Sequence, residues 1–281
     1  MTFAENHSSM NIETFGAFDE KKERTEEISE NAKGDLNGLS TGIFDKLFGK
    51  DKILTKEYES EMDHESLEAL EIPKPRIEDF TLSDRIPGFK GQEILVCGKP
   101  LDAINTLDYR QGDANLFYQG DCGLVSCANF LTQCGGEGFT EEYAINFAKE
   151  NDLCVHGFGV GIFDSGGTTE YHQCAFIESH GIDAMIRSDV PEIIERFEGG
   201  CAVVLNVNSG ILWNDPAYYG DGGRDHAVTM TGTLRDPDTG ALLGITVCDS
   251  GSNHPCTVIP IDKIEACVCG PAIVSKDPVR L

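Results

Sequence analysis

The sequence predicts an α+β fold in which a group of helices precedes most strands of an antiparallel sheet. Between residues 119 and 200, apolar residues recur at helical spacing, and Gly-Gly pairs at 135–136 and 199–200 end two of the helices. Beyond residue 200, β-branched runs surround a Pro/Asp/Gly turn, as in a β-hairpin. The regular strand-helix alternation of a doubly wound parallel sheet is missing.

The composition excludes several classes of function. With 281 residues, of which 40% are hydrophobic, the chain is long enough to bury a substantial core. Its 48 acidic and 22 basic residues give a net charge of -26, which argues against nucleic acid and anionic membranes as partners. The eleven cysteines contain no Cys-x-x-Cys pair, so we expect no metal site and no complete disulfide framework, and no cofactor is predicted.

The same cysteines indicate a compartment. An odd number of scattered cysteines is typical of a reducing environment, so the cytoplasm is the predicted site of action. No apolar run follows a basic start at the N-terminus, and no apolar run approaches the length of a membrane span. We therefore expect no signal peptide and no transmembrane helix, and secretion would require a dedicated delivery system.

Residues 1–90 are predicted to form an acidic leader and linker, partly disordered or loosely helical. Charges of both signs mix in runs such as Glu20–Arg24, and sustained apolar patterns are rare. Prolines at 73, 75 and 87 indicate an extended linker before the folded domain, residues 91–281. Two interpretations stay open: a merely solvated linker, or a leader that binds a delivery, chaperone or immunity partner, a role open to the acidic surface as well.

The central predicted helix begins at Cys122, in the run Gln-Gly-Asp-Cys-Gly at 119–123. Apolar residues follow at helical spacing up to the Gly-Gly pair at 135–136. A thiol at a helix N-terminus lies near unpaired N–H donors that favour the thiolate and can hold an oxyanion. Cys127 and Cys134, inside the same helix, are interpreted as packing residues, and a buried structural role stays open for Cys122 as well.

The remaining elements are predicted from the same boundary and propensity signals. They are, in chain order, a strand at 94–97, a helix from Thr140 to about Glu150, a helix from Thr168 or Thr169 to about Ser179, a strand at 182–186, a helix from Ser188 to Gly199 and a buried strand at 201–207.

Residues 226–249 are predicted to form a hairpin with its turn at 235–240. If Arg235 faces Gly240, His226 lies directly opposite Asp249. The further pairs on that face are apolar, namely Val228 with Val247, Met230 with Ile245 and Gly232 with Leu243. Threonines occupy the opposite face, and a slip of one residue would turn Asp249 away from His226.

His226 and Asp249 have the arrangement that orients an imidazole as a general base. Considered alone, His226 is more simply interpreted as a structural residue. Asp249 is followed by Ser250-Gly251 and could be only a turn residue. Together with Cys122, however, they complete a Cys-His-Asp set in which the histidine activates the thiol. The three residues are therefore the candidate catalytic set.

These motifs resemble the papain-like cysteine peptidase superfamily. The run around Cys122 is most similar to bacterial double-glycine-leader peptidases and to papain-fold domains of polymorphic bacterial toxins, and Trp213, residues 218–220 and residues 248–251 also resemble the toxin group. The resemblance covers residues 105–252. It implies a papain-like catalytic domain whose N-terminal cysteine helix packs on an antiparallel sheet carrying His226 and Asp249.

The chain departs from the family at the side chain that binds the oxyanion. The family places a glutamine six residues before the cysteine, where this chain has Leu116. Gln119 is the tentative oxyanion-hole residue, and Gln111 is too distant in sequence to be assumed. The backbone N–H of Cys122 is the safer donor.

The resemblance implies acyl transfer through Cys122 on a protein substrate. A protease and a glutamine deamidase both fit, as part of a bacterial toxin or effector, and transglutamination uses the same groups. The alternative is a non-catalytic acidic scaffold of the same fold that works by binding. Thiol reactivity distinguishes the two, because only the enzyme needs a cysteine with a lowered pKa.

Overall fold

Within residues 71–280, which the computed structural model describes, eight strands form one antiparallel sheet. The strands are β1 (Phe80–Ser83), β2 (Ile94–Gly98), β3 (Ala184–Arg187), β4 (Val203–Val207), β5 (His226–Arg235), β6 (Leu242–Asp249), β7 (His254–Pro260) and β8 (Ala272–Ser275). The helices are α1 (Ala103–Thr106), α2 (Cys122–Gln133), α3 (Glu141–Glu150), α4 (Glu170–Glu178), α5 (Val190–Glu198), α6 (Ser209–Trp213) and α7 (Ile261–Cys267). Ile77–Asp79 and Pro216–Tyr218 form short 3₁₀ helices.

Strand β5 is the centre of the sheet because it pairs with three other strands. Its first residues pair with β4, its last residues pair with β2, and β6 pairs with it from Thr229 to Arg235. The hydrogen-bonded path through the sheet is β1-β2-β5-β4-β8-β3, and β7 pairs with β6. His226, the first residue of β5, lies opposite Val207 of β4. The predicted mixture of helices and an antiparallel sheet is therefore confirmed.

Helices pack against two apolar clusters formed by alternate residues of the strands. Ala227 belongs to a cluster with the interior residues of α2, α3 and α4, whereas Val228 belongs to a second cluster with α5 and α7. Phe130 and Phe176 in the first cluster and Phe197 in the second are completely buried. No helix in residues 71–280 combines the length and the apolar character needed to cross a membrane.

The long predicted helices are confirmed, together with the residues that begin them. Thr140 accepts a hydrogen bond from the backbone N–H of Tyr143, and Thr169 accepts one from that of His172. The helix predicted from Ser188 begins one residue later than expected, with Asp189 as the capping residue. Local capping chemistry was thus enough to place these helix starts within one or two residues.

The predicted register of the hairpin is wrong by two residues at both ends of the pairing and by three residues from Gly232 to Leu234. Met230 pairs with Val247 rather than with Ile245, and Arg235 pairs with Leu242. The turn closes between Asp236 and Ala241, one residue further along both strands than expected. A register irregularity between Met230 and Gly232, and a second beyond Leu234, shift the pairing along the strands.

This shift does not separate the candidate catalytic residues. At the open end of the hairpin, where Met230 pairs with Val247, the displacement is two residues and keeps the side chains on their predicted face, whereas a displacement of one would reverse them. His226 and Asp249 consequently become diagonal neighbours instead of direct partners. Diagonal pairs remain within reach of long or aromatic side chains, and these two side chains are in contact.

The expected linker up to residue 90 is wrong for part of its length. Residues Phe80–Ser83 pair with β2, and Ile86 is 1% exposed in an apolar cluster with Ile94 and Leu234. Arg76 donates its backbone N–H to Glu198 O and its guanidinium to Arg280 O. Composition could not predict this packing because its partners are distant in sequence. Residues 1–70, including the run Glu20–Arg24, lie outside the described residues.

Candidate active site

Buried hydrogen bonds fix the cysteine helix against the histidine strand. Ser126 Oγ donates to Ala227 O over 3.0 Å, and Thr229 Oγ1 donates to Ser126 O over 3.1 Å. Near the other end of α2, Gln133 Nε2 donates to Met230 O over 3.0 Å. Because these bonds run along the whole contact, they set the position of the helix N-terminus relative to the first residue of β5.

The structure brings Cys122, His226 and Asp249 together. His226 Nε2 lies 2.8 Å from Asp249 Oδ1, and the hydrogen bonding and charge of the same ring lower the pKa of the Cys122 thiol. Since Nε2 faces the carboxylate, Nδ1 is the nitrogen available to the sulfur. His226 is 6% exposed and Asp249 is completely buried, whereas Cys122 is partly exposed. The cysteine residue therefore reaches the surface of the protein, while its two partners are shielded from water.

The Asp249 carboxylate accepts several hydrogen bonds besides that of His226. Trp213 Nε1 donates to Oδ2 over 2.7 Å, and the Ser252 hydroxyl donates to the same oxygen. The backbone N–H groups of Gly251 and Ser252 donate to Oδ1 over 3.0 and 3.3 Å. This set of donors compensates for the burial of the charge and fixes the direction of the carboxylate.

These contacts determine the protonation of the histidine and the aspartate. Burial acts to raise the pKa of Asp249, but the hydrogen bond and positive charge of His226, with Ser252 and Trp213, lower it to about 2. Burial acts to lower the pKa of His226, but the hydrogen bonds to Asp249 and Cys122 and their negative charges raise it to about 10. The imidazole is therefore protonated at neutral pH.

The Cys122 thiol responds in the opposite direction. Burial acts to raise its pKa, but the hydrogen bond and charge of His226 outweigh burial and lower the pKa below the ordinary value of 9.0. The backbone N–H groups of Ala227 and Gly123 contribute to this lowering. Cys122 and His226 thus favour a thiolate-imidazolium pair, the reactive form of such a site.

The other cysteines of the described residues behave as ordinary or inert thiols. Burial raises the pKa of Cys127 well above 9.0 and that of Cys134 to about 12. Cys269 is exposed, and its pKa is also raised, mainly by partial burial of the sulfur. These directions agree with the packing interpretation of Cys127 and Cys134 and single out Cys122.

Two glycines permit the close contacts around the site. A Cβ atom on Gly123 would lie 1.9 Å from Thr168 Oγ1 and 2.8 Å from Gln173 Nε2. A Cβ atom on Gly251 would lie 2.8 Å from the Trp213 ring and 3.0 Å from the His226 ring. Larger residues at these positions would displace Thr168 and Gln173 beside the start of the cysteine helix, and Trp213 and the imidazole of His226.

The two glutamines before the cysteine have different surroundings. Gln119 directs its amide NH₂ at the carbonyl oxygens of Gly112 and Leu116, 3.1 and 3.5 Å away, so it offers no free donor. Gln111 donates to Gln119 O over 3.0 Å and accepts from Ser250 Oγ over 3.0 Å, and its own N–H bonds to Ser250 O. Gln111 therefore connects the segment before Cys122 to the segment after Asp249. The surroundings of Gln119 do not favour it as the tentative oxyanion-hole residue, because its amide hydrogens are directed at carbonyl oxygens of its own loop.

Sequence reasoning missed Ser252, the role of Trp213 and the placement of Gln111. Trp213 is the only tryptophan of the chain, and the sequence singled it out only through the family resemblance, not as a partner of Asp249. Ser252 follows Asp249 by three residues, a spacing that local side-chain-to-backbone turns favour and that could have signalled it. Gln111 offered no signal, because it lies eleven positions before Cys122.

The arrangement suits nucleophilic chemistry. Within residues 71–280, no three His, Cys, Asp or Glu side chains are grouped as a metal site requires. A thiol, an imidazole and a carboxylate connected by hydrogen bonds can attack a carbonyl carbon and protonate the leaving group. Cysteine hydrolases use this combination.

Comparison with known proteins adds little. No protein-family model and no curated protein matches the chain. A crystal structure from Bacillus anthracis, provisionally described as a C39-like peptidase, is 16% identical, with a TM-score of 0.43. The match covers 61% of this chain and 94% of that one. A similarity this low does not establish a shared activity, and the inferences below come from the atoms of the site.

We expect iodoacetamide at neutral pH to modify Cys122 about tenfold or more faster than Cys269, because only Cys122 has a lowered pKa. Peptide mapping of partially labelled protein gives both rates. Cys269 is the matched control, since it is the more exposed thiol. In denaturant the two rates should converge, and faster labelling of Cys269 in the native protein would contradict the thiolate assignment.

Proposed function

We propose that this protein is a papain-like cysteine hydrolase that transfers acyl groups of a protein substrate through Cys122. The hydrogen bond of His226 to Asp249, together with the lowered pKa of the Cys122 thiol beside the same imidazole, is the observation that carries this proposal. A partly exposed nucleophile beside a buried, oriented base is what such chemistry needs, whereas a binding surface has no use for it. The catalytic roles are Cys122 as nucleophile, His226 as acid and base, and Asp249 as the residue that orients the imidazole.

In the first half of the reaction, the Cys122 thiolate attacks the carbonyl carbon of an amide. The carbonyl π electrons move to the oxygen and form a tetrahedral oxyanion. His226 then donates its Nδ1 proton to the amide nitrogen, the C–N bond breaks, and the amine leaves. A thioester on Cys122 and a neutral imidazole remain, with Asp249 still holding Nε2–H.

In the second half, neutral His226 removes a proton from water, and the resulting oxygen nucleophile attacks the thioester carbon. Collapse of the second oxyanion breaks the C–S bond and releases a carboxylic acid. The sulfur leaves as a thiolate beside the newly protonated imidazole, so the starting ion pair is restored.

For the oxyanion, we propose the backbone N–H of Cys122 together with the side chain of Gln111. The helix N-terminus supplies a donor and a favourable dipole at the position where negative charge develops. One amide hydrogen of Gln111 bonds to Gln119 O, which leaves the second hydrogen for the substrate. Gln119, whose amide faces its own loop, is the weaker choice.

Two substrate bonds fit this mechanism, and both belong to the proposal. If the leaving amine is a peptide nitrogen, the enzyme is a protease, and if it is ammonia from a glutamine side chain, the enzyme is a deamidase. Supplied with an amine in place of water, the same thioester gives transglutamination. Action on a cytoplasmic protein of a target cell, as for a bacterial toxin or effector, is the biological setting we propose.

Intact-mass analysis tests the activity directly. The protein is incubated with reduced casein and with native cytosolic proteins, beside a Cys122→Ala control. Cleavage gives fragments whose masses sum to the substrate plus one water, deamidation adds about one dalton, and an added amine forms an adduct only in transglutamination. If no mass changes and Cys122 also labels no faster than Cys269, the acidic scaffold becomes the better account.

A further inference from the structure

A pair of buried carboxyl groups lies directly behind the candidate nucleophile. Asp121, which precedes Cys122, is 0% exposed, and Glu141, the first residue of α3, is 3% exposed. Within residues 71–280, neither Asp121 carboxyl oxygen is paired with a nitrogen or hydroxyl donor. The group that its side chain meets is the Glu141 carboxyl, within hydrogen-bond reach.

The partners of Glu141 decide where the proton lies. Glu141 Oε1 accepts the backbone N–H of Gly112 over 2.5 Å, and Oε2 accepts that of Ala114 over 2.9 Å. Two backbone donors stabilise the charged form of a carboxyl group, and two adjacent buried carboxylates cannot both be charged. Glu141 is therefore the carboxylate of the pair, and Asp121 is the acid that donates its O–H to it.

Acidic groups act most strongly on the charge of Asp121, while Lys149 acts on the nearby Cys154 thiol. The side chains that act on the charge of Asp121 are Glu141 and the thiol of Cys122. Besides burial, the charge of Asp121 raises the pKa of the Cys154 thiol, which follows α3 in the chain. Gly166 packs on the Asp121 backbone and Cβ from a segment, 165–167, without ionisable side chains. Asp108 lies near Glu141 and adds further negative charge. Burial, then the hydrogen bond and charge of Glu141, raise the pKa of Asp121 to about 9.

Glu141 also holds the middle of the loop that leads into the site. Gly112, whose N–H bonds to Glu141, accepts the Gln119 amide at its carbonyl oxygen over 3.1 Å. Gln111, the preceding residue, bonds to Gln119 O and to Ser250. The carboxyl pair is therefore connected by successive hydrogen bonds to both glutamines and to the segment that follows Asp249.

We propose that Asp121 and Glu141 share one proton and act as positioning residues, which hold the 111–119 loop against the N-terminus of the cysteine helix. Loss of that proton in alkaline solution places two negative charges in one buried site and releases the loop. The effect on turnover rests on the proposed function, whereas the shared proton and the ordering of the loop do not.

Hydrogen exchange at neutral pH tests the ordering. Asp121→Asn keeps a neutral donor for Glu141, so exchange in the 111–119 segment should stay as slow as in the native protein. Asp121→Ala removes the donor and Glu141→Gln removes an acceptor, and each should speed exchange there about tenfold or more. Glu142→Gln is the matched control, because it removes a charge from an exposed neighbour on the same helix. Unchanged exchange in Asp121→Ala and Glu141→Gln would overturn the positioning role.

Thermal unfolding at different pH values tests the shared proton without any substrate. A carboxyl whose pKa is raised from 3.8 to about 9 contributes stability below pH 3.8 that is lost as the pH rises through about 9. Asparagine does not titrate, so the Tm of Asp121→Asn relative to the native protein should rise between pH 4 and pH 9. A difference that does not change with pH would overturn the shared proton, even if the protein proves to be inactive.

If the proposed activity holds, its pH profile gives a third measurement. Native activity should decline as the pH passes about 9, where Asp121 ionises, and in Asp121→Asn the decline should begin nearer to the value of about 10 for His226. A merely structural role would lower activity equally at all pH values. An identical alkaline decline in both proteins would overturn the release of the 111–119 loop at high pH. The activity of Cys122→Ala tests only the proposed function, because that variant leaves Asp121 and Glu141 unchanged.

Discussion

Replacement of Cys122 by alanine should abolish acyl transfer while leaving the fold intact. Loss of a nucleophile that acts in concert with its base lowers kcat by about 10⁴-fold or more. The stability of the variant should stay within about 1 kcal/mol of the native protein, because Cys122 lies at the edge of its apolar cluster and is partly exposed. Kinetics on a confirmed substrate and thermal unfolding, measured on the same samples, separate these two effects.

Cys127→Ala is the matched control for this experiment. The residue lies in the same helix, is completely buried, and contacts Gln173 O through its sulfur over 3.7 Å. Its loss should destabilise the fold by about 1 kcal/mol and leave most of the activity. If Cys127→Ala were inactive and Cys122→Ala active, the nucleophile would have been assigned to the wrong thiol.

Local sequence signals predicted the elements whose boundaries depend on neighbouring residues. The two helices after the cysteine helix begin directly after Thr140 and Thr169, because these side chains accept free backbone N–H groups of the first turn. The choice of Cys122 among eleven cysteines also followed from its position at a helix start. The effect of a residue on the adjacent turn of the backbone, such as the capping of a helix, can be deduced from the sequence.

The hairpin register could not be deduced in the same way. The apolar and threonine faces of β5 and β6 define which side chains point inward, but they repeat every two residues. A shift of two residues therefore satisfies the same pattern. The irregularity near Thr231 and the closure of the turn at Asp236 choose between the two registers, and neither has a clear signal in the sequence.

Partners that are distant in sequence account for the other differences. β1 lies in a proline-rich stretch, and only its pairing with β2 makes it a strand. Gln111 reaches the site because its loop is held by Glu141, a residue 30 positions further along the chain. The buried Asp121 likewise gains its neighbour only when α3 packs on α2. Such contacts depend on the assembled fold, so the sequence predicted the candidate catalytic residues and missed much of what positions them.

Asp249→Asn should have the second largest effect, on both reactivity and stability. The native carboxylate accepts from His226, Trp213 and Ser252, and asparagine replaces one accepting oxygen with an NH₂ group that faces donors. Without the negative charge, the pKa of His226 falls, so Cys122 loses its imidazolium partner. We expect kcat/KM to fall by about 10²- to 10⁴-fold, and alkylation of Cys122 at neutral pH to slow with it.

The loss of stability should depend on pH with a defined sign. The pKa of Asp249 is lowered from 3.8 to about 2, so its contribution is present above pH 4 and is lost as the pH falls through about 2. The pKa of His226 is raised from 6.5 to about 10, so its contribution is complete below pH 6.5 and is lost as the pH rises through about 10. The deficit of Asp249→Asn should therefore be largest between about pH 4 and 6.5, where breaking a buried ion pair costs about 3 to 5 kcal/mol.

Denaturant unfolding at several pH values measures this deficit, and Asp238→Asn is its control. Asp238 lies in the turn at the other end of the same hairpin and is exposed, so its replacement removes one charge without touching the site. A constant part of the Asp249→Asn deficit should persist up to pH 10, because asparagine keeps only one accepting oxygen, so either Trp213 Nε1 or the backbone N–H groups of Gly251 and Ser252 lose their acceptor. If the deficit instead grew steadily from pH 4 to pH 10, His226 would be neutral in the folded protein, and Cys122 would have to be activated without an imidazolium.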